Sequence, residues 1–161
     1  MKLHRRQVLG YSLAAPLALG LKPALAAGRA DVAREVLLTW HKLILELVRH
    51  TATFMPPVAA RAFAYIGVTA HEALVSGNPA LRSLAGQLTD LAPLPARGAG
   101  AFDEPCVLHA ALNAAVRDLF SNTGPTGQRA MQKMAEIMGR TARDGIAADI
   151  VDRRVAHGQA V

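Results

Sequence analysis

Cysteine is nearly absent from this chain. Its 161 residues include one, Cys106, so no intramolecular disulfide can form, and the CxxC and CxxCH motifs are missing. Aromatic residues make up 4% of the chain, which leaves alanine as the main filler and favours helices packed through small side chains. No segment alternates polar and apolar residues over the length of a strand, and no internal repeat or low-complexity tract occurs. Acid is lacking at the start: residues 1–26 hold Lys2, Arg5, Arg6 and Lys22 and neither Asp nor Glu. Setting them aside leaves 14 basic against 12 acidic residues, so the formal charge falls from +6 to +2. The nucleic-acid-binding class needs a basic face on the domain itself, and no nucleic acid partner is expected.

What stands at residues 1–26 reads as a signal peptide. Lys2, His4, Arg5 and Arg6 form a basic start. Val8 to Leu21 is a mildly apolar run interrupted by Gly10, Ser12, Pro16 and Gly20, and Ala24-Leu25-Ala26 gives a small-x-small cleavage pattern with the cut expected after Ala26. The run is too short and interrupted to span a bilayer, so no stable membrane span is expected after cleavage. Arg5-Arg6 followed by Gln7-Val8-Leu9 resembles the twin-arginine export signal, and the export machinery would be engaged through that pair. An ordinary basic signal peptide for general secretion is the alternative. Either route places the domain of residues 27–161 in the periplasm or outside the cell.

Apolar periodicity then predicts an all-α bundle of about five helices. Val32, Val36, Leu37, Trp40, Leu43, Ile44, Leu47 and Val48 mark one face of a helix over Asp31–His50, with Asp31 as its N-cap. Pro56-Pro57 opens a helix that Ser76-Gly77-Asn78-Pro79 closes, Gly77 supplying the left-handed stop. Small residues at Ala59, Ala60, Ala62, Ala64, Gly67, Ala70 and Ala73 cover much of its surface, so this Ala/Gly-rich helix is expected at the centre. Residues 79–100 read as looser, with a helical turn over Leu81–Leu88 and a Pro/Gly-rich loop over Ala92–Gly100 suited to wrapping the outside or to a site. Asp103 caps a helix whose apolar face runs Val107, Leu108, Ala111, Leu112, Ala115, Val116, Leu119 and Phe120. A fourth helix begins at Thr126 with Met131, Met134, Ile137 and Met138 inward. Asp144-Gly145 breaks it, and a fifth covers Ile146–Val161, where the pattern stops without a C-cap signal.

Motifs that carry chemistry are incomplete. His71-Glu72 begins a zinc-protease helix, but Val75 stands where the second histidine is needed, so the pair reads as polar groups bonded to a neighbour. His41, His50, His71, His109 and His157 are spread over four helices and read as partly exposed or singly bonded. Cys106, near a helix N-terminus, is either a lowered-pKa thiol or a small buried hydrophobe, the latter favoured because no base adjoins it. The Met131, Met134, Met138 stripe reads as core. Arg140, Arg143, Arg153 and Arg154, interleaved with Asp144, Asp149 and Asp152, read as a solvated face.

The runs Leu38–Thr51 (LTWHKLILELVRHT) and Pro56–Ala73 (PPVAARAFAYIGVTAHEA) resemble the N-terminal helical region of vanadium-dependent haloperoxidase-related proteins, of the type 2 phosphatidic acid phosphatase superfamily. Ser83–Leu88 and Val155–Val161 are similar to later pieces of that region, and the resemblance covers most of residues 36–161. It implies an oxyanion chemistry that sits in the C-terminal half of a longer helical protein. There a Lys, two Arg and a Ser-Gly-His element hold vanadate or phosphate, and a second His is the metal ligand or nucleophile. Here Lys133 and Arg140 have the family's six-residue gap, but Thr141 follows instead of Pro. Ser76-Gly77-Asn78 has Asn for the essential His and precedes the Lys/Arg pair.

The resemblance therefore implies a chain that ends before the catalytic half, and no catalytic, cofactor-binding or metal residue is assigned. Vanadate or phosphate would belong to complete relatives. The expected partners are a second copy of this chain or a separate catalytic chain. A free-standing periplasmic binding module using the Ala92–Gly100 loop is the alternative.

Overall fold

The structure, a computed structural model, describes residues 5–94 and 102–161, with side chains described from Gly28 onward. Among the described residues five helices follow in chain order: α1 Arg5–His50, α2 Pro56–Val75, α3 Glu104–Leu119, α4 Pro125–Arg143 and α5 Ala148–Ala160. Among the described residues there is no strand, and an isolated bridge joins Ala85 to Leu88. The all-α bundle expected from periodicity is what the chain forms. No helix among the described residues is long and apolar enough to cross a membrane. The side chains of the expected signal peptide, including Arg5 and Arg6, and residues 95–100 of the expected Ala92–Gly100 loop lie outside the described residues.

The centre of the bundle is α3, not α2. α3 packs against all four other helices, α1 and α4 also pack on each other, and α2 and α5 are held chiefly through α3. Residues Pro105 to Leu112 of α3 are buried without a break, so its first two turns have no solvent face. On α2 the buried positions are Ala62, Ile66, Ala70, Glu72 and Ala73, a single stripe, while Ala60, Ala64 and Gly67 face solvent. The physical reason is that alanine hides little apolar surface and is as stable on an exposed helix face as on a buried one. The large side chains locate the core better: Trp40, Ile44, Ile66, Leu108, Leu112, Val116, Phe120 and Met131 are all buried.

Helix ends follow local chemistry, with some departures from expectation. Asp103 caps α3, its carboxylate accepting from the Cys106 amide at 3.1 Å, as its place before Glu104-Pro105 predicts. Asp31 is not an N-cap; it lies inside α1, which continues through the Ala-rich stretch preceding it. α4 starts at Pro125, α5 spans Ala148–Ala160 within the expected segment, and Ile137 is exposed while Met131 and Met138 are buried. Gly77 does not adopt a left-handed conformation; among the described glycines that belongs to Gly86 (φ 76°) and Gly145 (φ 73°). Gly77 is needed for another reason, because a Cβ there would run into the ring of Phe102. Leu81–Leu88 forms turns and the Ala85–Leu88 bridge instead of a helical turn.

Three polar ties join segments distant in sequence. Arg29 in α1 donates to both carboxylate oxygens of Asp103, at 2.9 and 2.7 Å, and to the carbonyl oxygens of Ala142 (2.6 Å) and Asp144 (3.3 Å) at the end of α4. One guanidinium thus serves two helix ends: it pairs with the cap of α3 and satisfies carbonyls that α4 cannot. Glu72, almost fully buried on α2, accepts from Ser83 Oγ (2.8 Å) and the Leu84 amide (2.6 Å), and His71 Nε2–H donates to the Arg82 carbonyl (2.9 Å). The His71-Glu72 pair is therefore a clasp for the 79–94 segment. At the other end, Thr51 donates to Thr123 across the α1–α2 and α3–α4 connectors, and Phe54 stacks on Phe120 at 4.3 Å.

α5 approaches α3 through a glycine. A Cβ at Gly158 would lie 2.5 Å from the Val107 carbonyl oxygen and 2.8 Å from Ala110 Cβ, against backbone that cannot step aside. Gly158→Ala is expected to destabilise the fold by roughly 1–3 kcal/mol despite alanine's better helix propensity, measured by urea unfolding.

Candidate functional site

A cleft of about 500 Å³ opens between α3, α4 and α5. α3 contributes a second stripe beside its apolar face: Cys106, His109, Asn113 and Arg117 recur at three- and four-residue steps. α4 supplies Glu136 and Arg143, and α5 supplies Asp152. The formal charges of Arg117 and Arg143 balance those of Glu136 and Asp152.

His109 is the best-defined group in this cleft. Trp40 Nε1–H donates to its Nδ1 at 3.2 Å, deep in the core. An indole nitrogen can only donate, so Nδ1 must accept and the neutral ring carries its proton on Nε2. Burial, assisted by the positive charge of Arg143, pushes the imidazole down from its ordinary value to about 4. The ring is therefore a neutral, rigidly oriented donor at neutral pH, and among the described residues nothing pairs with Nε2. Gly139 makes room for it. A Cβ at that position would stand 3.2 Å from His109 Nε2 and 2.7 Å from Arg143 Nη2. Both nitrogens thus close on the same point of α4, while Arg143 Nε donates to the Gly139 carbonyl at 2.8 Å. One turn along α3, the side-chain oxygen of Asn113 is buried with no hydrogen-bond partner.

Cys106 sits at the inner end of the stripe, 1% exposed. Its thiol donates to the Ala142 carbonyl at 3.2 Å. Burial first, then the neighbouring Asp103 carboxylate, pushes it up to about 12. It is a small buried group pinning α3 to α4, the second of the two readings its position allowed, and no thiolate forms near neutral pH. A thiol reagent such as a colourless aryl disulfide is expected to leave native protein unmodified at pH 8 and to react at once in denaturant. Rapid reaction of the native chain would refute the assignment.

The other residues read from sequence do not gather. His41 Nδ1 contacts the Leu37 carbonyl in its own helix, His50 lies 3.5 Å from Glu46 on the surface, and His71 belongs to the clasp. Among the described residues no three His, Cys, Asp or Glu side chains are grouped to hold a metal ion. Lys133 and Arg140 are both exposed on α4, and neither lines the cleft. Ser76 Oγ donates to the Ala73 carbonyl and Asn78 Oδ1 accepts from the Ala80 amide, so both serve the end of α2. The expected solvated arginine face holds for Arg140, Arg143 and Arg153 but not for Arg154, which is 1% exposed and lies 5.7 Å from the centre of the Phe102 ring. Its long stem and planar head allow it to pack as a core side chain.

Sequence reading passed over Asn113 and Arg117 and treated His109 as one of a scatter. The spacing of four between each of them was the available signal. No family model, no curated protein and no solved structure matches the chain. The cleft is read from its own geometry.

Proposed function

We propose that this chain is an exported helical module of the haloperoxidase/acid-phosphatase-like kind, which by itself neither oxidises halide nor cleaves phosphomonoesters. The observation that supports the reading is the dispersal of the groups that could be matched to that oxyanion chemistry. Lys133 and Arg140 stand on the solvent side of α4, and Ser76 to Asn78 close α2. A phosphoryl or vanadate site works through donors that converge on the oxyanion from several sides, and such convergence is what these positions lack. In complete relatives vanadate or phosphate would be the bound group. Arg5-Arg6 and the Ala24-Leu25-Ala26 pattern support export, which would put the module in the periplasm or outside the cell. The test is turnover of the purified chain with bromide, peroxide and vanadate, and with a chromogenic phosphomonoester. No turnover is expected in either assay; activity abolished by Lys133→Ala or Arg140→Ala would overturn the reading.

A second reading is a docking subunit, and a specific surface favours it. Leu38 and Leu45 on α1 are 46% and 53% exposed at a seven-residue step, as are Val58 (46%) and Tyr65 (54%) on α2. Sedimentation of the purified chain decides between a second copy, which would give a dimer weakened by Leu45→Glu, and a separate chain, which would leave it a monomer.

A further inference from the structure

We propose that the cleft between α3, α4 and α5 binds a small zwitterion of the free α-amino-acid class. Its carboxylate would sit on Arg143 and the Nε2–H of His109, and its ammonium group on Asn113 Oδ1 and the carboxylates of Glu136 and Asp152. The proposal does not depend on the ancestry argued above.

Four observations converge on it. His109 is 8% exposed, held from behind by Trp40, and lines the cleft with an Nε2–H that no described residue accepts. An N–H at the cleft wall that no protein group accepts can donate to a ligand acceptor instead of to solvent. Arg143 comes close to the same place, its Nη2 and His109 Nε2 both closing on residue 139, and both side chains line the cleft. A guanidinium beside a second N–H suits a carboxylate, which takes two parallel hydrogen bonds.

Asn113 Oδ1 is the complementary observation, a buried acceptor with no donor. It lies four residues beyond His109 on α3, which is about 6 Å along the helix axis. Hydrogen bonds of ordinary length from each end, plus the short carboxylate-to-ammonium span of an α-amino acid, bridge such a gap.

Charge sets the class. Arg117 and Arg143 are balanced by Glu136 and Asp152 on the same walls. A dianion such as phosphate would meet both carboxylates, and a bare cation would meet both guanidinium groups. A ligand that is neutral overall with its charges separated meets each with its opposite. The roughly 500 Å³ of the cleft leaves space beyond the charged ends for a side chain.

The test is a titration of the purified chain with the common L-amino acids singly, at millimolar concentration, following the histidine ring nitrogens by NMR. Acetate and inorganic phosphate serve as oxyanion-only probes. At least one amino acid is expected to shift the His109 Nε2 signal saturably while its Nδ1 remains the acceptor, and neither acetate nor phosphate should saturate it. Arg143→Met, an exposed position, is expected to fold normally and weaken binding roughly tenfold or more. Gly139→Ala puts a Cβ against both the flexible Arg143 head and the His109 ring, and is expected to weaken binding. If no amino acid moves the His109 signal, or if phosphate alone saturates it, or if Arg143→Met binds as the parent does, the proposal is wrong.

Discussion

Replacing Asp103 with alanine is expected to destabilise the bundle by roughly 3 kcal/mol, the larger part of it from an ion pair and the rest from a lost helix cap. Asp103 is 6% exposed and performs two tasks at once. It accepts from the Cys106 amide, satisfying an orphan donor of α3, and it takes both prongs of the Arg29 guanidinium. Without the carboxylate, Arg29 would remain half-buried against Ala142 and Asp144 with its charge unmatched. Asp103→Asn separates the tasks. Its amide oxygen still caps α3, so the loss should shrink to the ion-pair part, on the order of 2 kcal/mol. A shift of roughly 10 °C in the unfolding midpoint for the alanine variant, and less for asparagine, is the signature in calorimetry. Equal losses for both would mean that the cap contributes nothing, and an asparagine variant as stable as the parent would mean that the charge of the pair contributes nothing. Arg29 is the third residue after the expected cut at Ala26, so a chain starting at Asp31 should resemble the alanine variant.

Stability is expected to fall steeply as pH drops from about 6.5 towards 4, and His109 is the reason. Its folded value, about 4, lies below the ordinary 6.5. Between those values the unfolded chain binds a proton that the folded chain refuses, so stability rises with pH across the window. The contribution is complete above pH 6.5 and gone below pH 4, a span worth roughly 3 kcal/mol. Burial is the main cause, and Arg143 on α4 adds to it; Trp40 on α1 contributes a hydrogen bond that only the unprotonated Nδ1 can accept. Urea unfolding of the parent and of His109→Gln at pH 7 and pH 5 checks the account. The glutamine variant can still accept from Trp40 but cannot titrate, so its pH slope should be much flatter. An unchanged slope would move the effect to other groups.

Helices α2 to α4 were legible because each is both periodic and punctuated, whereas nothing local marks the start of α1, which runs on before Asp31. Pro56-Pro57, Glu104-Pro105 and Pro125 open α2 to α4, and Gly145, left-handed at φ 73°, separates α4 from α5. What was not legible is depth. A run of small residues on α2 looks like a helix that neighbours can approach, yet Gly67 has open space where a Cβ would go. Close approach occurs instead at Gly158 and Gly139, single glycines whose pattern neighbours gave no sign of it. The Arg29 tie joins positions 74 and 113 residues apart, and no local pattern announces a contact at that range. Similarly, the cleft draws on three helices, and only its α3 stripe, His109, Asn113 and Arg117, has a spacing that a reader could find. Arg154 shows the converse error: an arginine beside Arg153 and Asp152 reads as surface, but the helix turns it inward against Phe102.

Thermal unfolding of the purified chain, followed by circular dichroism with and without millimolar orthovanadate, tests the central claim most directly. With Lys133 and Arg140 dispersed on the outer face of α4, vanadate is expected to leave the midpoint where it was. A midpoint raised by vanadate, and returned to the parent value by Lys133→Ala or Arg140→Ala, would mean that these residues do assemble an oxyanion site and would contradict the account.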